Sequence, residues 1–480
     1  MSKTNFKYLP FIICIIILGI SLSSCRKELL YKGNEKILSF SSDTLQFDTV
    51  FTQIGTVTRF FKIENPSQNA ILLKKIELMN LNGLNTFRIN VDGVSGTKFE
   101  NITIPPKDFI YVFAEATIDP MNLTNPFVIL DEIRYSFNDV IQSSYLEAWG
   151  RDAYFHRGEV YIGKNITWLA DKPHVILRDD TFPGVGVDSS SVLNIEPGCE
   201  IYSAQGTGIF VDGELHVGAL GNQDSVVFRS ARIETLQNEI NFEENPGLWQ
   251  GITLFSGSKA TFYNVCINQA IWGLQIRRFS EDINDMLVDA ARPEVILDKV
   301  QIKNSALNAL IALNADLTVT NSIFYYSGAN TVAIALGGKA KFDNCTIYNN
   351  GVSGSDDSEG LILSNFVQTS QGTGVHPLES ADFTNVLIHG NASEQLIFSD
   401  DDLVDFNYNF TNCLLKTELE SQGGFTNCLF NQDPLFEDAN DANFNLKDNS
   451  PCINAGVDNG ITEDIYFSPR LSFDIGAVAY

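Results

Sequence analysis

A short motif that keeps returning in the second half of the chain constrains the fold more than any other feature. Lys259-Ala260-Thr261-Phe262-Tyr263-Asn264-Val265-Cys266-Ile267 is echoed by Lys339-Ala340-Lys341-Phe342-Asp343-Asn344-Cys345-Thr346-Ile347. The same phase recurs at Val319-Thr320-Asn321-Ser322-Ile323-Phe324, Phe383-Thr384-Asn385-Val386-Leu387-Ile388, Phe410-Thr411-Asn412-Cys413-Leu414-Leu415 and Phe425-Thr426-Asn427-Cys428-Leu429-Phe430. Leu297-Asp298-Lys299-Val300-Gln301-Ile302 keeps the apolar pattern but carries Lys in place of Asn. Asn321 and Asn344 are 23 residues apart without interruption. A period near this length, built from short strands, means one turn of a parallel β-solenoid in which each coil buries its apolar face only against its neighbours. A leucine-rich repeat of similar period needs a Leu-x-x-Leu-x-Leu core, which is absent. Asparagine suits the sharp bend between two strands because it tolerates the left-handed conformation better than most residues. Stacked at the inter-strand spacing, its amides can hydrogen-bond from coil to coil. Asn264, Asn321, Asn344, Asn385, Asn412 and Asn427 are therefore read as a structural ladder that binds nothing.

The flanks of this repeat carry a family resemblance. Val192-Leu193-Asn194-Ile195-Glu196-Pro197-Gly198, Gly208-Ile209-Phe210-Val211-Asp212-Gly213 and Gly247-Leu248-Trp249-Gln250-Gly251-Ile252 resemble the opening coils of right-handed parallel β-helix proteins of the pectate lyase superfamily. Asp433-Pro434-Leu435-Phe436, Ser450-Pro451-Cys452-Ile453-Asn454-Ala455-Gly456 and Asp474-Ile475-Gly476-Ala477 resemble the ending of the "choice-of-anchor" β-helix type. The resemblance spans roughly residues 190–480. It implies a right-handed single-stranded parallel β-helix over 154–432 and a C-terminal region, 433–480, that caps the solenoid edge.

Residues 37–153 have a different rhythm. Apolar or alternating strands are predicted at 44–50, 59–64, 71–78, 87–91, 109–116, 127–135 and 144–148, with turn clusters such as Asn65-Pro66-Ser67 and Pro105-Pro106-Lys107-Asp108 between them. Seven short strands at this spacing predict a β-sandwich. No Cys–Trp–Cys framework is present. Phe47 through Gly55, Arg59-Phe60-Phe61 and Ile63-Glu64-Asn65-Pro66 resemble the Hydin-like immunoglobulin modules of envelope lipoproteins, which implies an Ig-like sandwich.

The first residues address the compartment. Lys3 and Lys7 precede an apolar run from Leu9 to Leu22, which is too short for a comfortable membrane span and reads as a secretory signal over 1–24. Leu22-Ser23-Ser24-Cys25 resembles the lipobox of bacterial lipoproteins. That resemblance implies acylation of Cys25, a linker over 25–36 and a membrane partner held through the lipid. Arg26 in place of Asp implies passage to the outer membrane.

The formal charge of −27 disfavours nucleic acid as a partner, because like charge repels the phosphate backbone. A polyanionic glycan would need a local basic pocket to overcome the same field. The six cysteines that remain after the signal and Cys25 are not spaced as zinc ligands, and the place of Cys266, Cys345, Cys413 and Cys428 beside the repeated asparagine favours buried core roles for these four. No catalytic set is found. The three motifs of polygalacturonase-like hydrolases are absent, and His156, His174, His216, His376 and His389 are scattered. Asp356-Asp357 and Asp400-Asp401-Asp402 read as solvated loop charges, and Arg277-Arg278 as a salt-bridged loop base. Calcium is the one ion considered, at Asp438, Asn440, Asp441, Asn443, Asn445 and Asp448, whose oxygens alternate through one loop; no cofactor is otherwise expected. The segments 234–247, 279–293, 351–360 and 368–379 break the coil rhythm and should project from the rod, where binding function concentrates. Trp249, Trp272, Tyr325 and Tyr326 lie near those edges and could stack on sugars, although core or coil-stacking roles are the favoured reading. The expectation is a non-enzymatic envelope protein presenting a β-helix surface to a glycan or an envelope protein. A divergent polysaccharide lyase or glycoside hydrolase and a purely structural protein are the alternatives.

Overall fold

The computed structural model describes residues 29–52, 55–119, 127–232, 245–277, 291–351 and 358–480. Cys25, Arg278 and Asp356-Asp357 fall outside them, as do most of the segments 234–247 and 279–293 and the stretch 352–357. The chain divides into two compact units, residues 1–152 and 153–480.

The first unit is a β-sandwich. Its strands are β1 (Ser39–Phe40), β2 (Thr44–Phe51), β3 (Arg59–Glu64), β4 (Ile71–Leu78), β5 (Phe87–Val91), β6 (Val94–Gly96), β7 (Lys98–Ile104), β8 (Phe109–Ala116), β9 (Phe127–Phe137) and β10 (Val140–Arg151). They form two five-stranded sheets, ordered β1-β3-β8-β5-β6 and β2-β10-β9-β4-β7. Period-two alternation explains the packing. Ile71, Leu73, Ile76 and Leu78 of β4 and Phe127, Ile129, Ile133, Tyr135 and Phe137 of β9 are buried between the sheets. Each such side chain contributes about 1.5–3 kcal/mol on leaving water. The Tyr135 hydroxyl lies 2.7 Å from Ser144 Oγ, so its polar end is satisfied inside the core. The short strands β1 and β6 and the seven-residue β7 were not expected from the sequence. In β7, Phe99 and Ile104 are the fully buried positions among otherwise polar or half-buried residues, which leaves little alternation to read.

The second unit is a parallel β-helix. Twenty-six of its strands join one continuous sheet ordered along the chain, with each strand also pairing with its counterpart one coil later. Val192 sits beside Glu214 and Glu294 beside Asp316, each a 22-residue step. Every full coil presents three strands, one entering the asparagine bend, one leaving it and a third closing the turn. Alternate residues of all three point inward. Phe262, Phe342, Phe383 and Phe410, two residues before the bend, are fully buried, as are Ile267, Phe324, Ile347 and Ile388, three residues after it. Phe383 lies flat on Phe410 with ring centroids 4.4 Å apart. The bend residues are left-handed, with φ of 53°, 46°, 48°, 57°, 51° and 52° at Asn264, Asn321, Asn344, Asn385, Asn412 and Asn427, and 56° at Lys299.

The first coil closes on a buried polar chain. His174 Nε2 meets the Leu169 carbonyl at 3.0 Å and its Nδ1 meets His156 Nε2 at 2.9 Å, while His156 Nδ1 faces Glu159 Oε2 at 2.9 Å. The Tyr161 hydroxyl donates to the same carboxylate oxygen at 2.8 Å. Donor and acceptor counting then fixes the protons. His174 is neutral with hydrogen on Nε2, so its Nδ1 accepts from His156 Nε2.

Residues 433–480 run along the flank of the helix. Phe436, Phe444 and Leu446 cover outward residues of the bend-leaving strands, namely Ile323, Tyr325, Tyr348, Leu387 and Leu414. The segment then climbs back along the asparagine bends. Asn412 Nδ2 donates to Ala455 O (2.9 Å), Asn385 Nδ2 to Val457 O (2.8 Å), and Asn459 Nδ2 to Asn344 Oδ1 (2.7 Å). Val457 N donates back to Asn385 Oδ1 (2.8 Å) and Arg470 Nη2 reaches Asn321 Oδ1 (3.1 Å). Lys299 Nζ bonds the Asp464 carbonyl and pairs with Glu463 at 3.7 Å. Asn385 Nδ2 also approaches Asn344 Oδ1 at 3.4 Å, but most amides of the ladder turn to this returning strap. The physical reason is that the flank would otherwise expose apolar side chains and unpaired backbone-facing amides together.

Candidate functional site

Beside the first hairpin turn of the strap, a groove of about 850 Å³ opens on the outward face of the bend-leaving strands. Successive coils place Tyr202 beside Arg229, Asn268 beside Lys303, and Lys303 beside Tyr325. Arg229 and Lys303 thus stand two coils apart, roughly 10 Å at the usual strand spacing. Asn268, Asn304, Tyr325 and Tyr326 complete the floor, and the turn Asn440-Asp441-Ala442 of the strap forms one wall. The Lys303 ammonium lies 5.9 Å from the Tyr325 ring and the Arg229 guanidinium 5.8 Å from the Tyr202 ring. Asn304 Nδ2 donates to Asn268 Oδ1 at 2.9 Å, which fixes both amides. The Tyr326 hydroxyl donates to Ala439 O at 2.8 Å and also contacts Asn440 O, tying groove to strap. Burial raises the Cys266 thiol above its ordinary range despite Lys303 and Arg229 nearby. Asp441 is the carboxylate among the groove's described residues.

The arrangement puts two cationic side chains, a tyrosine ring and several amides on one floor. Such a floor suits a planar or extended anionic ligand with many hydroxyl groups. Hydrolysis of a glycosidic bond needs a second carboxyl group at defined separation, and the described residues supply one.

The residues singled out by sequence are distributed as follows. Tyr325 and Tyr326 belong to the groove. Trp249 is fully buried, with its Nε1 donating to Asn268 O at 2.8 Å, and Trp272 packs on a small outward cluster around Ile311 and Leu313. Arg277 is buried, left-handed, and lowered in pKa by that burial. Asp401 caps its own turn by accepting from Leu403 N at 2.9 Å. In the loop considered for calcium, Asp438 Oδ1 accepts from Asn440 N and Asp441 N, Asn443 Oδ1 accepts from Asn445, and Asp448 accepts from the Tyr480 hydroxyl. Among the described residues no three His, Cys, Asp or Glu side chains are gathered as metal ligands. The segment 368–379 includes part of a two-stranded hairpin, 366–369 with 372–375.

Arg229 and Lys303 were not singled out by sequence. Lys303 sits four residues after the bend Lys299, at the first outward position beyond Ile302, and that offset is the signal that could have marked it. A second surface was also missed. On the outer face of the sandwich, Phe60, Phe109, Tyr111 and Phe113 form a chain of rings with centroids 5.3–5.7 Å apart, and Lys62 lies over Phe109 at 4.3 Å.

Residues 278–415 match the family described as "Right handed beta helix region". No curated protein matches the chain. Among solved structures, the Agl-KA catalytic domain shares 12% identity over 78% of this chain and 80% of that one, with a TM-score of 0.31. A thermostable alpha-1,3-glucanase catalytic unit from Streptomyces thermodiastaticus shares 10% over 77% and 87%, at 0.23. A family 123 glycoside hydrolase from Clostridium perfringens shares 9% over 25% of this chain and 30% of that one, at 0.18. The chain therefore spans less than a third of that last enzyme. At TM-scores this low none of these likenesses carries functional meaning.

Proposed function

We propose that this chain is an exported envelope lipoprotein, anchored through Cys25, whose β-helix holds an acidic glycan in the groove between Arg229 and Lys303 without cleaving it. The sandwich, read as an Ig-like module, would serve as the spacer between anchor and rod, and the lipid would place the protein in the outer membrane. The observation that carries the binding reading is local. A protein of formal charge −27 places Arg229, Lys303, Tyr325 and Tyr326 on one outward groove. That is the basic pocket an anionic polymer requires to approach so acidic a surface. Cations two coils apart would meet like-facing sugars of an extended chain lying along the rod.

The test is calorimetric titration of the mature protein with uronic-acid oligosaccharides and their reduced, neutral counterparts. The acidic series should bind, weaken with rising salt, and lose about tenfold in affinity in Lys303→Ala. Equal binding of neutral and acidic chains, or an unchanged Lys303→Ala, would overturn the reading. The second reading, a divergent lyase, draws on the same two cations, since a polyuronate lyase needs a basic side chain close to neutralised carboxylates. Release of unsaturated products during the titration would establish it.

A further inference from the structure

The register of the last two coils brings two thiols together. Thr411 pairs with Thr426 and Leu414 with Leu429, so Cys413 and Cys428 occupy equivalent places one coil apart. Backbone bonds bracket them on both sides, Asn412 N to Thr426 O at 2.9 Å and Leu429 N to Cys413 O at 2.8 Å. Parallel strands at about 4.8 Å fall within the Cα separation that a disulfide spans. Each sulfur leans toward the preceding coil, Cys413 Sγ to Phe383 O and Cys428 Sγ to Phe410 O, both at 3.4 Å. The same column continues through Val386 to Cys345, because Leu387 pairs with both Thr346 and Leu414. Val386 therefore holds Cys345 two coils away from Cys413, roughly 10 Å and beyond bridging distance.

We propose that Cys413 and Cys428 are a dithiol site, oxidised to a disulfide that fastens the final coil to the one before it. The final coil has a reason to need fastening. Its strands, Phe425–Thr426 and Leu429–Phe430, are two residues each, and Phe425, Cys428 and Phe430 are only partly buried. Oxidation requires a disulfide oxidant, either a thiol–disulfide oxidoreductase or a small-molecule disulfide. Cys428 is the entry point because Cys413 is fully buried while Cys428 is only partly so, and the neighbouring Cys413 thiol lowers its pKa. Its thiolate attacks one sulfur of the oxidant, whose other sulfur departs as a thiolate. Cys413 Sγ then attacks Cys428 Sγ in the mixed disulfide, giving its proton to the second departing thiolate. Two protein thiols and one external disulfide become one protein disulfide and two external thiols.

The test uses the full chain, incubated with oxidised glutathione, alkylated under denaturing conditions without reductant and digested. The expected result is a linked peptide pair containing Cys413 and Cys428, lighter by two hydrogens than the separate peptides, with Cys199, Cys266, Cys345 and Cys452 alkylated. Reduction should then speed amide exchange across 425–430 by roughly tenfold or more, while exchange near Phe262 stays unchanged. Because the wild-type chain is used, a folding defect in a cysteine variant cannot obscure the outcome. Alkylation of both Cys413 and Cys428 after the oxidant treatment would overturn the proposal, as would exchange at 425–430 that is indifferent to reduction.

Discussion

Asn385 gives the sharpest test of why the repeat uses asparagine. Its side chain is 1% exposed, its φ is 57°, and it makes a reciprocal pair with Val457, each bond 2.8 Å. Asn385→Ala removes the local preference for the left-handed conformation, about 1 kcal/mol. It also leaves the Val457 N–H and C=O without these partners. Val457 is 38% exposed, so water reaches the gap and the cost falls at the low end of the range, about 1 kcal/mol for each group. The expected destabilisation is about 3 kcal/mol in all. Asn385→Gly relieves the backbone but not the hydrogen bonds, so it should recover about 1 kcal/mol of that loss. Guanidinium unfolding followed by tryptophan fluorescence measures the change, and amide exchange at residues 455–459 localises it to the strap. A variant within about 0.5 kcal/mol of the parent, or a glycine variant no better than alanine, would refute this account of the bend.

Three further outcomes follow from the same packing. Phe383→Ala empties a fully buried site between Phe342 and Phe410 and should cost about 3–5 kcal/mol, read as a shift in the guanidinium midpoint. Burial lowers His174 and His389 to about 4 from 6.5, so both fold neutral while the unfolded chain takes up protons below 6.5. Their contribution is complete above 6.5 and is lost as pH falls toward 4, about 3 kcal/mol at most for His174; chemical denaturation at stepped pH should show the decline, and a flat profile between 6.5 and 4 would contradict it. Lys299→Asn restores the repeat residue but shortens the reach to Asp464 and Glu463, so exchange at 463–466 should rise while the neighbouring coils keep their protection.

The coils were legible because the physics that builds them is local and repeats. An inward phenylalanine two places before a left-handed asparagine repeats the same solution at every turn, and in the sandwich the alternation of β4 and β9 is visible in the chain itself. What was not legible depends on distant partners. Lys299 breaks the asparagine pattern for a reason that lies 165 residues away, at Asp464. The course of the strap is of the same kind, since the composition of a closing region does not say which coils it touches. The groove is hidden for the same reason, since its floor comes from Arg229, Asn268 and Lys303 on three coils and its wall from Asn440 to Ala442. Strand β7 was missed because few of its side chains are buried.

The most direct measurement is a crystal structure of the protein with a uronic-acid hexasaccharide. Density for the sugar along the groove, with carboxylates on Arg229 and Lys303 and a ring against Tyr326, is the predicted result. A sugar bound elsewhere, with Arg229 and Lys303 untouched, would contradict the account.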